Sequence, residues 1–414
     1  MAGGKGTRVS SIASDIPKPM INIEGKPVLE WEINNLREQG LNDIIITVSH
    51  LSNIIMDYFK DGSQFGVHIE YFIEDVPLGN AGALFKIKDK LTDDFLLLNA
   101  DSVFDVDFNK FISYHKEKGG LVTLFTHPNS HPYDSGLIIA NDNKEVIEWL
   151  GKSDARPTWY KNRVNAGIHL INKKILDASI EGEKIDLDKQ LLKPLANTGE
   201  MFVYDSPEYV KDMGTPDRYQ AVCKDFHTGI VHAKNLNNKQ KAIFLDRDGT
   251  INKYVGFLTD IRDLELKEGT ADAISLINSS DYLAIVITNQ PVVARGEVSF
   301  EQLNEIHNKM ETLLGNKGAF VDAIYYCPHH PHKGYEGEVP ELKIDCECRK
   351  PKPGLIFRAA EDFNIDLSKS WMIGDEEIDV LTAENAGCNY IKIDKNDSLL
   401  KAVNSIISRG VLYE

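Results

Sequence analysis

No stretch of this chain approaches the roughly 18 consecutive apolar residues of a membrane span. The opening residues, MAGGKGTR, also lack the apolar core of a signal peptide. A cytoplasmic protein with no membrane partner is therefore expected. Positive charge is short as well: 46 Lys plus Arg stand against 63 Asp plus Glu, a formal charge of −17. Such a surface argues against nucleic acid as a partner, so phosphate must be met by local clusters of cations and backbone N–H groups. Cysteine is scarce and odd in number, five in all, which argues against a disulfide framework. Three of the five crowd at Cys327, Cys346 and Cys348 and suit a metal site, while Cys223 and Cys388 read as packed thiols. Internal repeats and low-complexity segments are lacking too.

What is present is enough chain, 414 residues, for two cores rather than one. From Val28 to about Phe226, strand-like runs alternate with helical stretches: IIITV at 44–48, HIEYF at 68–72, FLLLNAD ending at Asp101 and LVTLF at 121–125. This pattern predicts an α/β domain with a largely parallel sheet. The polar run HAKNLNNKQ has the composition of an exposed connection. After it come AIFL, YLAIVIT, WMIG and YIKI, short unalternating apolar runs of the kind buried on both faces of a parallel sheet. The expected division is a first domain over 1–227, a linker over 228–240 and a second domain over 241–414, both doubly wound. Between the later strands, Leu303, Ile306, Met310 and Leu313 predict one core-facing side of a helix over 299–314, with Ser299 and Gln302 as a capping box.

Asp246 and Asp248 stand two apart at the C-terminal end of an apolar run, where ligands bind in open α/β sheets. One carboxylate there can attack phosphorus while the other exchanges a proton with the leaving oxygen and with water. Thr288 and Asn289 offer donors to phosphoryl oxygens at the next strand end. Asp375 and Asp379 offer carboxylates for a metal, and Lys350 can neutralise charge developing in transfer. Together DRDGT, TNQ, CRKPKPG and GDEEID resemble the haloacid dehalogenase superfamily over about 239–414, and within it the heptose-bisphosphate and histidinol-phosphate phosphatases. The resemblance implies a HAD-like domain with Asp246 as nucleophile and Asp248 as acid and base. It also implies magnesium on Asp246, Asp375 and the carbonyl of Asp248, Lys350 on phosphate, and Arg349 with Arg295 toward the substrate. Where such relatives read Asn-Gln-Ser-Gly, this chain has Gln290-Pro291-Val292, and Pro291 removes a backbone donor.

Cys327-Pro-His329 and, sixteen residues on, Cys346-Glu-Cys348 supply three thiolates and an imidazole, a closed tetrahedral set for structural zinc, with His330 as the alternative imidazole. Arg349 and Lys350 follow the last thiolate directly. Zinc is therefore expected to fix the residues that read the substrate.

The N-terminal run AGGKGTR brings Gly3, Gly4 and Gly6 together with Lys5 and Arg8, a loop able to wrap a triphosphate. Pro17-Lys18-Pro19, PLGNAGAL, NAD ending at Asp101, VNAG at 164–167 and DMGTP at 212–216 follow in order. The set resembles the sugar-1-phosphate nucleotidyltransferases over most of 1–226, which implies a Rossmann-like first domain. That resemblance implies magnesium on Asp101 and Asp212, Lys18 at the reacting phosphates, and Gly79, Asn80 and Gly82 around base and sugar. Lys152 and Asn165 are implied on the sugar phosphate. Gly151 replaces a carboxylate common before that lysine. The strand that leads into the glycine loop in such proteins has no residues before Met1, so a start farther upstream is expected.

Two such domains match consecutive steps: a phosphatase removing the 7-phosphate of D-glycero-D-manno-heptose 1,7-bisphosphate, and a transferase activating the 1-phosphate that remains. GTP is the expected nucleotide, and a cell-surface glycan such as lipopolysaccharide the expected destination. Competing readings are a histidinol-phosphate phosphatase, a mannose- or glucose-1-phosphate transferase, or an N-terminal module that binds nucleotide without turnover.

Overall fold

The structure is a computed structural model that describes residues 16–100, 102–177, 184–334, 336–394 and 397–410. The chain divides into two compact units. The first holds the described residues up to His127, Gly136–Gly151 and Asn165–Asn235; the second holds Pro128–Ser135, Lys152–Val164 and everything from Leu236 onward.

In the first unit a six-stranded sheet runs in the order Met201–Asp205, Val122–His127, Val164–Asn172, Leu137–Ala140, Val146–Leu150, with Asp94–Leu98 also pairing on Val164–Asn172. Met201–Asp205 lies parallel to Val122–His127, but Asp94–Leu98 is antiparallel to Val164–Asn172, as is Leu137–Ala140 to Val146–Leu150. The sheet is thus mixed rather than largely parallel, because the segment between Leu137 and Leu150 folds as a hairpin and needs no helical crossover. Asp43–Val48 and His68–Ile73 form a separate parallel pair, and Ser102–Asp105 and Tyr209–Asp212 an antiparallel one. Leu97, Leu124, Ile138, Val146 and Ile171 pack in one core cluster on the large sheet.

The expected exposed linker is packed instead. Ile230–Ala233 is a short helix, and Val231, Asn235, Leu236 and Gln240 are buried. Asn235 Nδ2 donates to Asp105 within the first unit. Farther on, Asn364 Nδ2 donates to the carbonyls of Leu236 and Asn238, and the Gln240 N–H to that of Asn364, within the second. Its backbone carbonyls are thus met by the Asn364 side chain rather than by water.

The second unit carries five parallel strands in the order Ala323–Cys327, Tyr282–Asn289, Lys241–Leu245, Trp371–Gly374, Asn389–Lys392. In the central strand Ile243 and Leu245 enter one core cluster while Ala242 and Phe244 enter another. Burial on both faces is why this run is apolar without alternation.

Phe300–Gly315 is a helix with the Ser299/Gln302 capping box formed, and it buries Leu303, Ile306, Met310 and Leu314. Leu313 is only half-buried. Glu311 and Thr312 are buried as well, because Lys152–Val164 belongs to this unit and runs over them. Tyr160 N–H donates to Thr312 Oγ1 at 2.9 Å, Asn162 N–H to Glu311 Oε2 at 3.0 Å, and the Arg163 guanidinium to the same Oε2 at 3.3 Å and to the Asp322 carbonyl at 2.9 Å. No helix among the described residues is long and apolar enough to cross a membrane.

Candidate active sites

The central strand Lys241–Leu245 ends at Asp246, which a parallel sheet leaves at its C-terminal edge beside the end of Trp371–Gly374. Lys350 Nζ donates to Asp246 Oδ1 at 2.7 Å and to Asp379 Oδ1 at 2.6 Å, all three groups being buried. Asp375 completes the cluster: oxygens of Asp246, Asp375 and Asp379 lie within 4.8 Å of one another, and Asp375 Oδ1 is buried without a partner. Gly249, at φ +86°, makes room there, since a Cβ on it would lie 2.2 Å from Asp375 Oδ2. Converging hard oxygens, one of them orphaned, fit a divalent cation. Burial pushes the Asp246 carboxyl up to about 7, with Asp379 and Asp248 adding and Lys350 opposing. A bound cation would reverse that balance.

Asp248 points elsewhere. Burial would raise its carboxyl, but the Arg247 charge and hydrogen bonds from Asn252, Arg247 and Gln290 outweigh it and hold the group below the ordinary carboxylate value. Arg247 Nη2 lies 2.8 Å from Asp248 Oδ2, and Arg247 Nη1 lies 3.2 Å from His307 Nε2. The His307 ring is driven down to about 3 by burial and by Arg247, so it meets the guanidinium as a neutral acceptor. Arg247, Gln290, Asn252 and His307 escaped the sequence reading; an arginine buried between two aspartates at a strand end was the available signal.

Asn289 is placed differently from the phosphoryl donor expected. Its Oδ1 accepts from Lys350 N–H at 3.0 Å and its Nδ2 donates to the Lys350 carbonyl at 3.2 Å, so it holds the lysine's backbone. Thr288 is buried and its Oγ1 accepts from Gln290. Arg295 stacks on Phe257 at 4.2 Å and pairs with Glu297 at 2.6 Å.

The thiols and imidazole converge as well. Cys327 Sγ lies 3.5 Å from Cys346 Sγ and 3.3 Å from Cys348 Sγ, and His329 Nδ1 lies 3.3 Å from Cys348 Sγ. His330 turns its Nδ1 to His332, which leaves His329 as the imidazole of the set. A compact group of three sulfurs and one ring nitrogen fits zinc. Arg349 Nη1 donates to the His329 carbonyl at 3.2 Å, tying the arginine to the cluster.

In the first unit Gly3, Gly4, Gly6, Arg8 and Asp101 lie outside the described residues. Asp212 pairs in register with Ser102, next to position 101. Its carboxylate accepts from Arg218 at 2.6 Å and from Gly214 N–H at 2.7 Å. Gly79 adopts φ +83° because the Ile185 backbone approaches it; a Cβ would meet the Ile185 oxygen at 2.4 Å. Asn80 Oδ1 caps Leu187 N–H at 2.7 Å, and Gly82 opens the Gly82–Lys86 helix. Lys18 lies in the Lys18–Met20 turn and Lys152 is exposed just beyond the Val146–Leu150 strand. Asn165 sits on Val164–Asn172 beside Asn99, across Gly167.

Comparison with known proteins identifies relatives for both halves of the chain. The nucleotidyl transferase family model matches residues 1–229, and a HAD-hydrolase-like model matches 347–404. A UTP–glucose-1-phosphate uridylyltransferase of Synechocystis sp. is 34% identical over 64% of this chain and 74% of its own length. The D-glycero-beta-D-manno-heptose-1,7-bisphosphate 7-phosphatase of Pasteurella multocida is 39% identical over 41% of this chain and 87% of its own length. HddC from Yersinia pseudotuberculosis, solved with GMP-PN, is 26% identical over 54% of this chain and 96% of that one, at a TM-score of 0.47. The chain belongs to the nucleotidyl transferase family through its N-terminal half and, through its C-terminal half, to the HAD-type phosphatases of the heptose-bisphosphate kind, two enzymes fused in one polypeptide.

Proposed function

We propose that the C-terminal half hydrolyses the 7-phosphate of D-glycero-D-manno-heptose 1,7-bisphosphate and that the N-terminal half transfers a guanylyl group from GTP to the heptose 1-phosphate so formed. The observation that carries the first step is the buried Asp246–Lys350–Asp379 cluster at the sheet's edge, with Asp375 beside it. An Asp246 oxygen attacks phosphorus and the bond to the sugar oxygen breaks. Asp248, which takes up a proton only on leaving the Arg247 and Gln290 donors that hold it ionised, gives that proton to the sugar oxygen. The same carboxylate then accepts a proton from water, whose oxygen attacks the aspartyl-phosphate and releases phosphate. Lys350 holds positive charge beside the transferred group throughout. Magnesium held by Asp246, Asp375 and the Asp248 carbonyl would supply further charge neutralisation, and Cys327, His329, Cys346 and Cys348 would hold a structural zinc.

For the second step, the order of the motifs along 1–229 supports the reading. The sugar phosphate oxygen attacks the α-phosphorus of the nucleotide and pyrophosphate leaves. Lys18, Lys152 and Asn165 would meet the phosphates and sugar, the 2–8 loop with Gly79, Asn80 and Gly82 would take the nucleotide, and Asp101 with Asp212 would hold magnesium, which would supply charge neutralisation. The chemistry of the fusion favours the heptose, because the product of a bisphosphate 7-phosphatase is a sugar 1-phosphate.

The test uses the full chain with the bisphosphate and each of GTP, ATP, CTP and UTP. Phosphate release followed by pyrophosphate release with GTP is expected, with pyrophosphate absent for Asp101→Ala. Faster transfer with UTP would overturn the choice of nucleotide, and no phosphate release would overturn the choice of sugar.

A further inference from the structure

We infer that His169 is a positioning residue of the nucleotidyltransferase half, holding the Asn165 amide so that its NH2 group faces the sugar phosphate. The inference rests on the reading of residues 1–229 as a sugar-1-phosphate transferase and deepens it.

Residues two apart on a strand share a face, so Asn165, Gly167 and His169 line one side of Val164–Asn172 while Ala166, Ile168 and Leu170 enter a core cluster on the other. Gly167 has φ +75°, and a Cβ there would lie 2.7 Å from Asn99 Nδ2. The side chain of Asn99, two residues before Asp101, therefore stands against this face. Asn165 Oδ1 receives two contacts, from Gly167 N–H at 3.1 Å and from His169 Nε2 at 3.0 Å.

A backbone N–H can only donate, so the shared side-chain atom must be the oxygen. For His169 Nε2 to be attracted to that same oxygen, it must carry the ring proton. The other ring nitrogen agrees: Nδ1 is buried without a partner, and an orphaned lone pair is tolerated better than an orphaned N–H. Burial, which drives this imidazole down to about 4, keeps it neutral with that single proton.

Both acceptor positions of Asn165 are then filled from the protein side. Its Nδ2 has no partner among the described residues, and the residue is half-buried. Two N–H donors are thereby presented in one fixed orientation. Without the His169 donor, the Gly167 N–H alone holds the oxygen, so the amide more readily rotates and offers it to an anionic ligand, which repels it.

The geometry makes a sharp substitution test. Glutamine places its Nε2 about where the histidine Nε2 lies, asparagine reaches only as far as Nδ1, and phenylalanine fills the space with no donor. In the full chain, His169→Gln should keep transferase kcat/KM within about threefold of the parent. His169→Phe and His169→Asn should raise KM for the sugar 1-phosphate about tenfold, the loss of one oriented hydrogen bond, with KM for the nucleotide unchanged. Phosphatase turnover should not move in any of the three.

Equal kinetics for Phe and Gln, or parallel losses for sugar and nucleotide, would overturn the assignment. A second measurement is independent of turnover: nitrogen NMR of the full chain, labelled at histidine and assigned with His169→Gln, should show the Nε2–H tautomer. The Nδ1–H tautomer would overturn the inference even in an active enzyme. A chain that transfers no nucleotide to any sugar 1-phosphate would remove the reading of the domain, and the tautomer would still decide whether His169 orients Asn165.

Discussion

Lys350 and Asp246 form a buried ion pair, 2.7 Å from Nζ to Oδ1, joining a cation from one loop to a carboxylate at the end of the central strand. Burial tends to neutralise Asp246, and Lys350 is the group that opposes it. Lys350→Met should therefore lower phosphatase turnover at least a hundredfold, about the scale of losing one preorganised charge. Nucleotidyl transfer by the same chain should persist. Phosphate and pyrophosphate release, measured side by side, check this.

Arg247→Met should make stability depend on pH in a new direction. Asp248 is held below its unfolded value of about 3.9, so in the parent its contribution is present above that pH and is lost as pH falls through the folded value. In the variant, burial is no longer opposed by the guanidinium and the carboxyl rises. Its contribution is then present at low pH and lost as pH climbs through the raised value. The gap in Tm between parent and variant should widen as pH rises past about 4; a gap independent of pH would contradict this.

Cys346→Ser should release zinc and weaken the phosphatase without disturbing Asp246. Arg349 is tied to the carbonyl of His329, itself one of the four ligands, so loosening the cluster frees the arginine and the adjoining Lys350. A fall of about 10- to 100-fold in phosphatase activity is expected, typical of losing outer support at a metal. Metal analysis should show zinc lost in step, and a zinc-free protein with undiminished activity would refute the link.

Glu311→Ala should cost about 3–5 kcal/mol, the penalty for leaving a buried charge uncompensated, because Arg163 and Glu311 are both buried. Urea unfolding followed by tryptophan fluorescence measures it. Glu311→Gln, which keeps an acceptor for Asn162 N–H, should cost less.

Legibility in the sequence followed the range of the forces involved. The central strand of the second unit, the Ser299 capping box and the grouping of Cys327, His329, Cys346 and Cys348 were readable, since each is written in local spacing. Asp379 reads from sequence as a metal-side carboxylate, yet it also binds Lys350, and Asn289 reads as a phosphate donor, yet it holds the Lys350 backbone. Both depend on a loop 61 residues along the chain from Asn289. The burial of Glu311 and Thr312 was invisible for the same reason: on the helix's own period they belong to the polar face, and only Tyr160, Asn162 and Arg163 cover them. The linker's polar composition reads as exposed, but its carbonyls at Leu236 and Asn238 are met by Asn364, 128 and 126 residues along the chain, which no local spacing reveals.

That covering segment has an order of manufacture. Tyr160 leaves the ribosome 152 residues ahead of Thr312, which at about 5–20 residues per second is a wait of roughly 8–30 s. During that interval Trp159 and Tyr160 have no helix to pack on, and Arg163 has no Glu311. A nascent chain arrested before residue 300 should therefore be a better chaperone client than the finished protein, although its phosphatase has yet to be made.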